Sequence, residues 1–208
     1  MSAQHGHPMA TASAPVEQKS SPVQLVVVSA GLSAASSTRR LGQLVADTAC
    51  AQLADRGKSC RVTHVELRHT AEAVARSLVS GSIDPSVAAE IDLLRAADGL
   101  VVATPTINAS FSGILKSFFD LLPTKLLRGL PTVIAATGGT HRHTLVLDSS
   151  VRPMLGYLRA VVLPSSLFVT GDEWDGERPR PELSARIEVA GEELAHYAWA
   201  ARVGAFSI

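Results

Sequence analysis

A chain of 208 residues that is 46% apolar and 18% charged suits one folded domain with a sizeable core, and it is too apolar to be disordered throughout. Lysine plus arginine and aspartate plus glutamate balance at 19 each, so no basic surface points to nucleic acid or to an anionic membrane. No apolar run approaches the roughly 18–20 residues that span a bilayer.

Met1–Pro22 is rich in Ala, Ser, Pro and Gln. It has neither the basic start nor the apolar centre of a secretory signal, so the expectation is a disordered tail before a single domain over 23–208, in the cytoplasm. Cys50 and Cys60 lie outside any C-x-x-C or metal-ligand spacing. Both are expected as isolated thiols in a reducing compartment.

Val23–Ser29 is a β-branched run and the first expected strand. Arg39–Asp55 carries Leu41, Leu44, Val45, Ala49 and Leu53 at helical spacing, and Gly57 ends it. Arg61–Leu67 alternates as a second strand. Leu67–Leu78 is ambiguous and is taken as a loop with a short helix over Glu72–Val79. Pro85 suits the first turn of a helix running to about Ala97. Gly99–Ala103 is the third strand, Gly113–Leu122 an amphipathic helix, and Pro131–Thr137 the fourth strand. A helix over Leu145–Leu158 follows. Val161–Val169, interrupted by Pro164, is an edge or bulged fifth strand. Gly171–Pro181 is expected as a surface loop, and Glu182–Ala201 as a last helix with Ile187, Leu194, Tyr197 and Ala198 inward.

Five strands alternating with helical segments predict an α/β fold, a doubly wound parallel sheet with helices on both faces. The flavodoxin-like strand order 2-1-3-4-5 fits this count. Such sheets bind ligands at the carboxyl ends of their strands.

Three loops there carry the candidate site. Ser29–Thr38 lacks both the G-x-G-x-x-G and the G-K-[ST] spacings but offers Ser29, Ser36, Ser37 and Thr38 ahead of a helix. Hydroxyls and free amides at a helix start suit a phosphate, whereas capping alone needs one hydroxyl. The second loop (Pro105, Thr106, Ile107, Asn108, Ala109, Ser110) is polar and uncharged, suited to edging a flat heterocycle. The third (Thr137, Gly138, Gly139, Thr140) has two glycines that allow close approach to a planar ligand. His141 and His143 make too small a ligand set for a metal, and none is expected. With no nucleophile elbow and no carboxylate pair in these loops, the chemistry falls to a cofactor.

These residues resemble the NAD(P)H-dependent FMN reductases of the flavodoxin-like superfamily, which include reductase partners of alkanesulfonate monooxygenases. The likeness spans Gln24 to Ala201 and is densest over Ala103–Pro123 and Ala136–Leu155, with Ser29–Thr38 similar to the family's Ser-rich phosphate loop. It is nearest to an actinobacterial-type branch. The resemblance implies FMN phosphate at Ser29, Ser36, Ser37 and Thr38, with the ring edged by 105–110 on one side and 137–140 on the other. It further implies NADPH or NADH as donor, a monooxygenase as recipient of reduced FMN, and a homodimer or homotetramer formed near Gly113–Leu122 and Leu145–Leu158. Ser149 stands where some members carry an inserted aromatic or His.

An alternative is a flavin-retaining reductase of quinones, azo dyes or metal oxyanions. A flavodoxin-type carrier is disfavoured by the neutral charge and the scarcity of aromatics in the loops. A phospho-receiver domain is excluded because Ala103-Thr104 stands where an Asp is required. Arg39, Arg40 and Arg142 are each candidates for the 2′-phosphate of NADPH.

Overall fold

A computed structural model describes residues 21–205. The expected tail lies outside them except for Ser21 and Pro22.

Strand β1 (Val23–Ser29) is the apolar run of the sequence, buried on both faces as an interior parallel strand requires. Helix α1 (Ser37–Asp55) starts at Ser36, whose hydroxyl accepts the Arg39 amide, and buries the stripe Leu41, Val45, Ala49 and Leu53. Gly42 lets it lie close on the sheet: a Cβ there would sit 2.7 Å from Val27 Cγ1.

β2 (Cys60–Glu66) runs straight into α2 (Leu67–Ser80), without the expected loop. α3 (Pro85–Arg95) is capped by Asp84, with Pro85 in its first turn as expected. β3 (Gly99–Ile107) extends four residues past its expected end and folds back as a two-residue strand, β4 (Ser110–Phe111). α4 (Gly113–Asp120) and β5 (Pro131–Gly138) follow.

The single helix expected over Leu145–Leu158 is a π-helical turn, Leu147–Val151, leading into α5 (Arg152–Tyr157). Pro153 has no N–H to continue the α-helical ladder, and the widened turn containing Ser149 precedes it. β6 (Val161–Thr170) is the edge strand, with a register shift against Thr132/Ile134. The expected loop after it holds a short hairpin, β7 (Trp174–Asp175) with β8 (Arg178–Pro179), before α6 (Pro181–Arg202).

The sheet order is β2-β1-β3-β5-β6, all parallel, with β4 antiparallel on β3. Counting the long strands alone, this is the expected 2-1-3-4-5; the short β4 makes the sheet six-stranded rather than five-stranded.

Alternate residues of each strand feed two cores. Val26, Val28, Leu100 and Val102 meet α2–α5, whereas Leu25, Val27, Val101 and Val133 meet α1 and α6. Of the residues expected to face inward from α6, Ile187, Leu194 and Ala198 are buried and Tyr197 is half-buried against the same core.

The cysteines depart from expectation. Cys50, late in α1, and Cys60, at the start of β2, form a disulfide with their Cα atoms 5.3 Å apart. The α1–β2 turn brings the two residues together, which no spacing motif reveals.

Candidate functional site

The strands end along one edge of the sheet, and their register assembles the site. Ser29 pairs with Glu66 on one side and Ala103 on the other. Pro105 pairs with Thr137, and Gly138 with Thr170. A hydrogen bond of 2.6 Å between the hydroxyls of Thr38 and Thr137 joins the first and third loops.

In the first loop Ser29 and Thr38 are buried, while Ser36 holds the cap, its Oγ accepting the Arg39 N–H at 3.2 Å. One hydroxyl therefore caps, as it must. Ser37, also in the first turn, is exposed. Gly31 sets the loop's tightness: a Cβ there would lie 1.9 Å from Ser36 Oγ.

The second loop is largely not a loop. Residues 105–107 remain in β3, and Asn108 (φ 48°) and Ala109 (φ 65°) make a left-handed two-residue turn into β4. Two such residues match the twist of a tight hairpin. Thr104 Oγ1 accepts the Ser112 N–H at 3.0 Å and donates to the Pro105 carbonyl, fixing the base of the hairpin. Ile107, Asn108, Ala109 and Ser110 are exposed, whereas the buried Thr106 Oγ1 has no hydrogen-bond partner.

In the third segment, 137–138 stay in β5 and 139–140 lead into a 3₁₀ turn, His141–His143. Gly138 is required by Phe168, whose Cζ would lie 2.7 Å from a Cβ. His141 Nε2 lies 3.1 Å from Thr170 Oγ1, which also donates to Asp172 at 2.5 Å. The Thr170 hydrogen bond, more than the neighbouring His141 and Arg180 charges, holds the Asp172 carboxyl below its usual range. Neither this group nor any other among the described residues gathers three or more metal-binding side chains.

Charge borders the first loop. Glu66 accepts from Arg39 Nε at 2.8 Å and Arg68 Nε at 3.2 Å. Burial alone would raise the Glu66 carboxyl, but the two guanidinium groups outweigh it and hold the group low. Arg40 reaches Glu177 at 2.6 Å and lies over the Trp174 ring at 5.8 Å, clasping the β7–β8 hairpin to α1.

The site edge thus brings a Ser-rich strand-to-helix turn together with two uncharged segments, 105–110 and 137–140, on a 2-1-3-4-5 sheet. The profile of the NADPH-dependent FMN reductase family matches residues 23–175. The chain belongs to that family. "FMN reductase (NADPH)" of Pseudomonas aeruginosa is 35% identical over 178 residues, covering 84% of this chain and 92% of that one. "NADH-dependent FMN reductase SfnE" of Pseudomonas putida is 34% identical over 174 residues, covering 83% and 91%. Among solved structures, an oxidoreductase from Corynebacterium diphtheriae superposes with a TM-score of 0.81 at 39% identity, covering 86% of this chain and 97% of that one. This FMN reductase family member is an oxidoreductase working with FMN and a reduced nicotinamide nucleotide.

The residues present fit FMN. The Gly31 cradle and the hydroxyls around α1 suit a phosphate, and the orphaned Thr106 hydroxyl suits a polar edge of the ring. Sequence reasoning missed Glu66 and Thr170, and the close contact that Gly31 makes with Ser36. Only Gly31 carried a signal, as a small residue just after a strand, at the turn into a helix.

Proposed function

We propose that Ser29, Ser36, Ser37 and Thr38 hold the FMN phosphate, with residues 105–110 and 137–140 as the two walls of the ring site. FMN supplies the hydride chemistry when bound, and the protein's task is to bind and orient it. The free N–H groups of the first turn of α1 face the phosphate, and the helix dipole adds to them. Thr106 donates or accepts at the ring edge. Ile107, 41% exposed at the solvent side of its wall, borders the face on which the nicotinamide docks.

Reduced FMN is then passed to a flavin-dependent monooxygenase; the exposure of residues 107–110 in the first wall supports a flavin that can leave. Assembly as a homodimer or homotetramer is supported by the groove between α4 and α5, where Tyr157 is 75% exposed. No helix among the described residues is long and apolar enough to cross a membrane. We place the protein in the cytoplasm, where both nicotinamide nucleotides are at hand.

The observation that carries the reading is the unpartnered Thr106 hydroxyl in the wall opposite the Thr38–Thr137 bond. NADH and NADPH oxidation is followed with and without added FMN. FMN-dependent turnover with at least one nucleotide is expected, and its absence with both overturns the reading. Thr106→Val weakens FMN binding roughly three- to tenfold, yet leaves the flavin-free protein as stable or more so, because an unsatisfied hydroxyl is replaced by a methyl.

A further inference from the structure

Family relatives differ in their nicotinamide nucleotide, one being named for NADPH and another for NADH. The two differ by a 2′-phosphate, a dianion best met by a guanidinium that has no other partner.

Arginines crowd the site end of the sheet, and most are committed. Arg39 and Arg68 share Glu66. Arg40 is held by Glu177 and Trp174. Arg180 donates to the Asp172 carbonyl, and Arg186 to Glu173 and the Phe168 carbonyl. Moving Arg39 or Arg40 to a ligand would leave a carboxylate behind, half-buried in the case of Glu66 at 17% exposure. That cost is absent for Arg142. Its guanidinium is exposed and has neither a carboxylate nor a carbonyl partner among the described residues.

Its backbone, by contrast, is fixed. The Arg142 N–H is directed at Thr140 Oγ1 at 3.4 Å. The Thr144 amide and hydroxyl both donate to the His141 carbonyl, at 3.1 and 2.5 Å. His141 is in turn anchored to Thr170 on the neighbouring strand. A free charge is thus mounted on a pinned turn three residues beyond Gly139, at the rim of the second wall. Arg178 is likewise without an ion pair, but it lies on the β7–β8 hairpin that Arg40 clasps to the α1 side.

We infer that Arg142 receives the 2′-phosphate of NADPH and sets a preference for NADPH over NADH. This rests on the ring site proposed above, whose rim Arg142 occupies.

The test compares the ratio of kcat/KM for NADPH to that for NADH, at saturating FMN, in the wild type, Arg142→Ala, Arg142→Lys and Arg178→Ala. The ratio is expected to fall about tenfold or more in Arg142→Ala, the scale of one lost charge-assisted contact, and less in Arg142→Lys. It holds in Arg178→Ala. An Arg142→Ala ratio within about twofold of wild type overturns the inference while leaving the FMN reductase reading intact. Calorimetric binding of adenosine 2′,5′-bisphosphate, against 5′-AMP as reference, reads the same contact without turnover. Preference for the bisphosphate that is lost in Arg142→Ala supports the inference even if FMN-dependent turnover fails, and equal binding of the two overturns it.

Discussion

The hydroxyls of Thr38 and Thr137, 99 residues apart in the chain, share a hydrogen bond of 2.6 Å. One belongs to the first turn of α1 and the other to the end of β5, so the bond ties the Ser29–Thr38 loop to the 137–140 segment. Thr38→Val and Thr137→Val are each expected to weaken FMN binding roughly three- to tenfold, with the double variant costing less than the sum because both remove one bond. Flavin fluorescence titrations of all four proteins provide the cycle; strict additivity would show that the bond does not couple the loops.

Gly31 offers a sharper disruption. A methyl at this position would lie 1.9 Å from Ser36 Oγ, so Gly31→Ala must displace the capping hydroxyl. Loss of the cap costs about 0.5–2 kcal/mol, and the Ser29–Thr38 loop moves with it. Thermal melts and FMN titrations of Gly31→Ala beside Gly31→Ala/Ser36→Gly separate the two effects: the second substitution removes the clash and restores stability in part. A single variant that melts and binds as wild type would contradict the tight packing.

The Cys50–Cys60 disulfide lies at the other end of the molecule. Cys60 begins β2 opposite Val23, whereas the site lies beyond Glu66 and Ser29 at the far ends of the same strands. Closing a 10-residue separation restricts the unfolded chain by roughly 2–3 kcal/mol. Cys50→Ser/Cys60→Ser should therefore melt earlier, as should the wild type in reductant, with FMN affinity unchanged in both. Equal melting of oxidised and reduced wild type would refute the staple.

Acid should weaken the fold through His64. Both ring nitrogens are buried without a partner; burial foremost, then the Arg39 charge, lowers the pKa from 6.5 against the opposing pull of Glu66 and Asp47. Below about 6.5 the unfolded imidazole takes up a proton that the folded one does not, so stability falls as pH drops from about 7 toward the folded value. Glu66, held low, loses its contribution only further into acid, as pH falls through its own folded pKa. Glu90, raised by burial against its Thr70 hydrogen bond, acts in the opposite sense and cancels when wild type and variant are compared. Denaturant melts of His64→Leu between about pH 5 and about pH 7 should show a shallower slope of stability against pH than wild type. An identical slope would remove His64 from the account.

What could be read from the sequence follows from how local each signal was. The strand order, the capped start of α1 and the hydroxyls at 29–38 are written in contiguous residues. The hairpin at 105–111 was not, because its turn uses Ala109 at a φ of 65°, which costs an alanine about 1 kcal/mol or more and which no sequence rule would choose. Helix α2 begins at Leu67 with no side-chain cap to announce it. The disulfide, the Thr38–Thr137 bond and the commitments of Arg39 and Arg40 are contacts between distant segments, and only the fold makes them.

The two walls differ in what holds them. The hairpin stays in the main-chain ladder to its tip, where Ile107 pairs with Ser110. Beyond Gly138 the opposite wall leaves the sheet ladder and is held by a single 3₁₀ turn, the Thr140 hydroxyl and the His141–Thr170 contact. One jaw is therefore set by main-chain pairing and the other largely by side chains. In the proposed site, side-chain substitutions at Thr140 or Thr170 would reshape the glycine side, whereas only a change of backbone would reshape the hairpin.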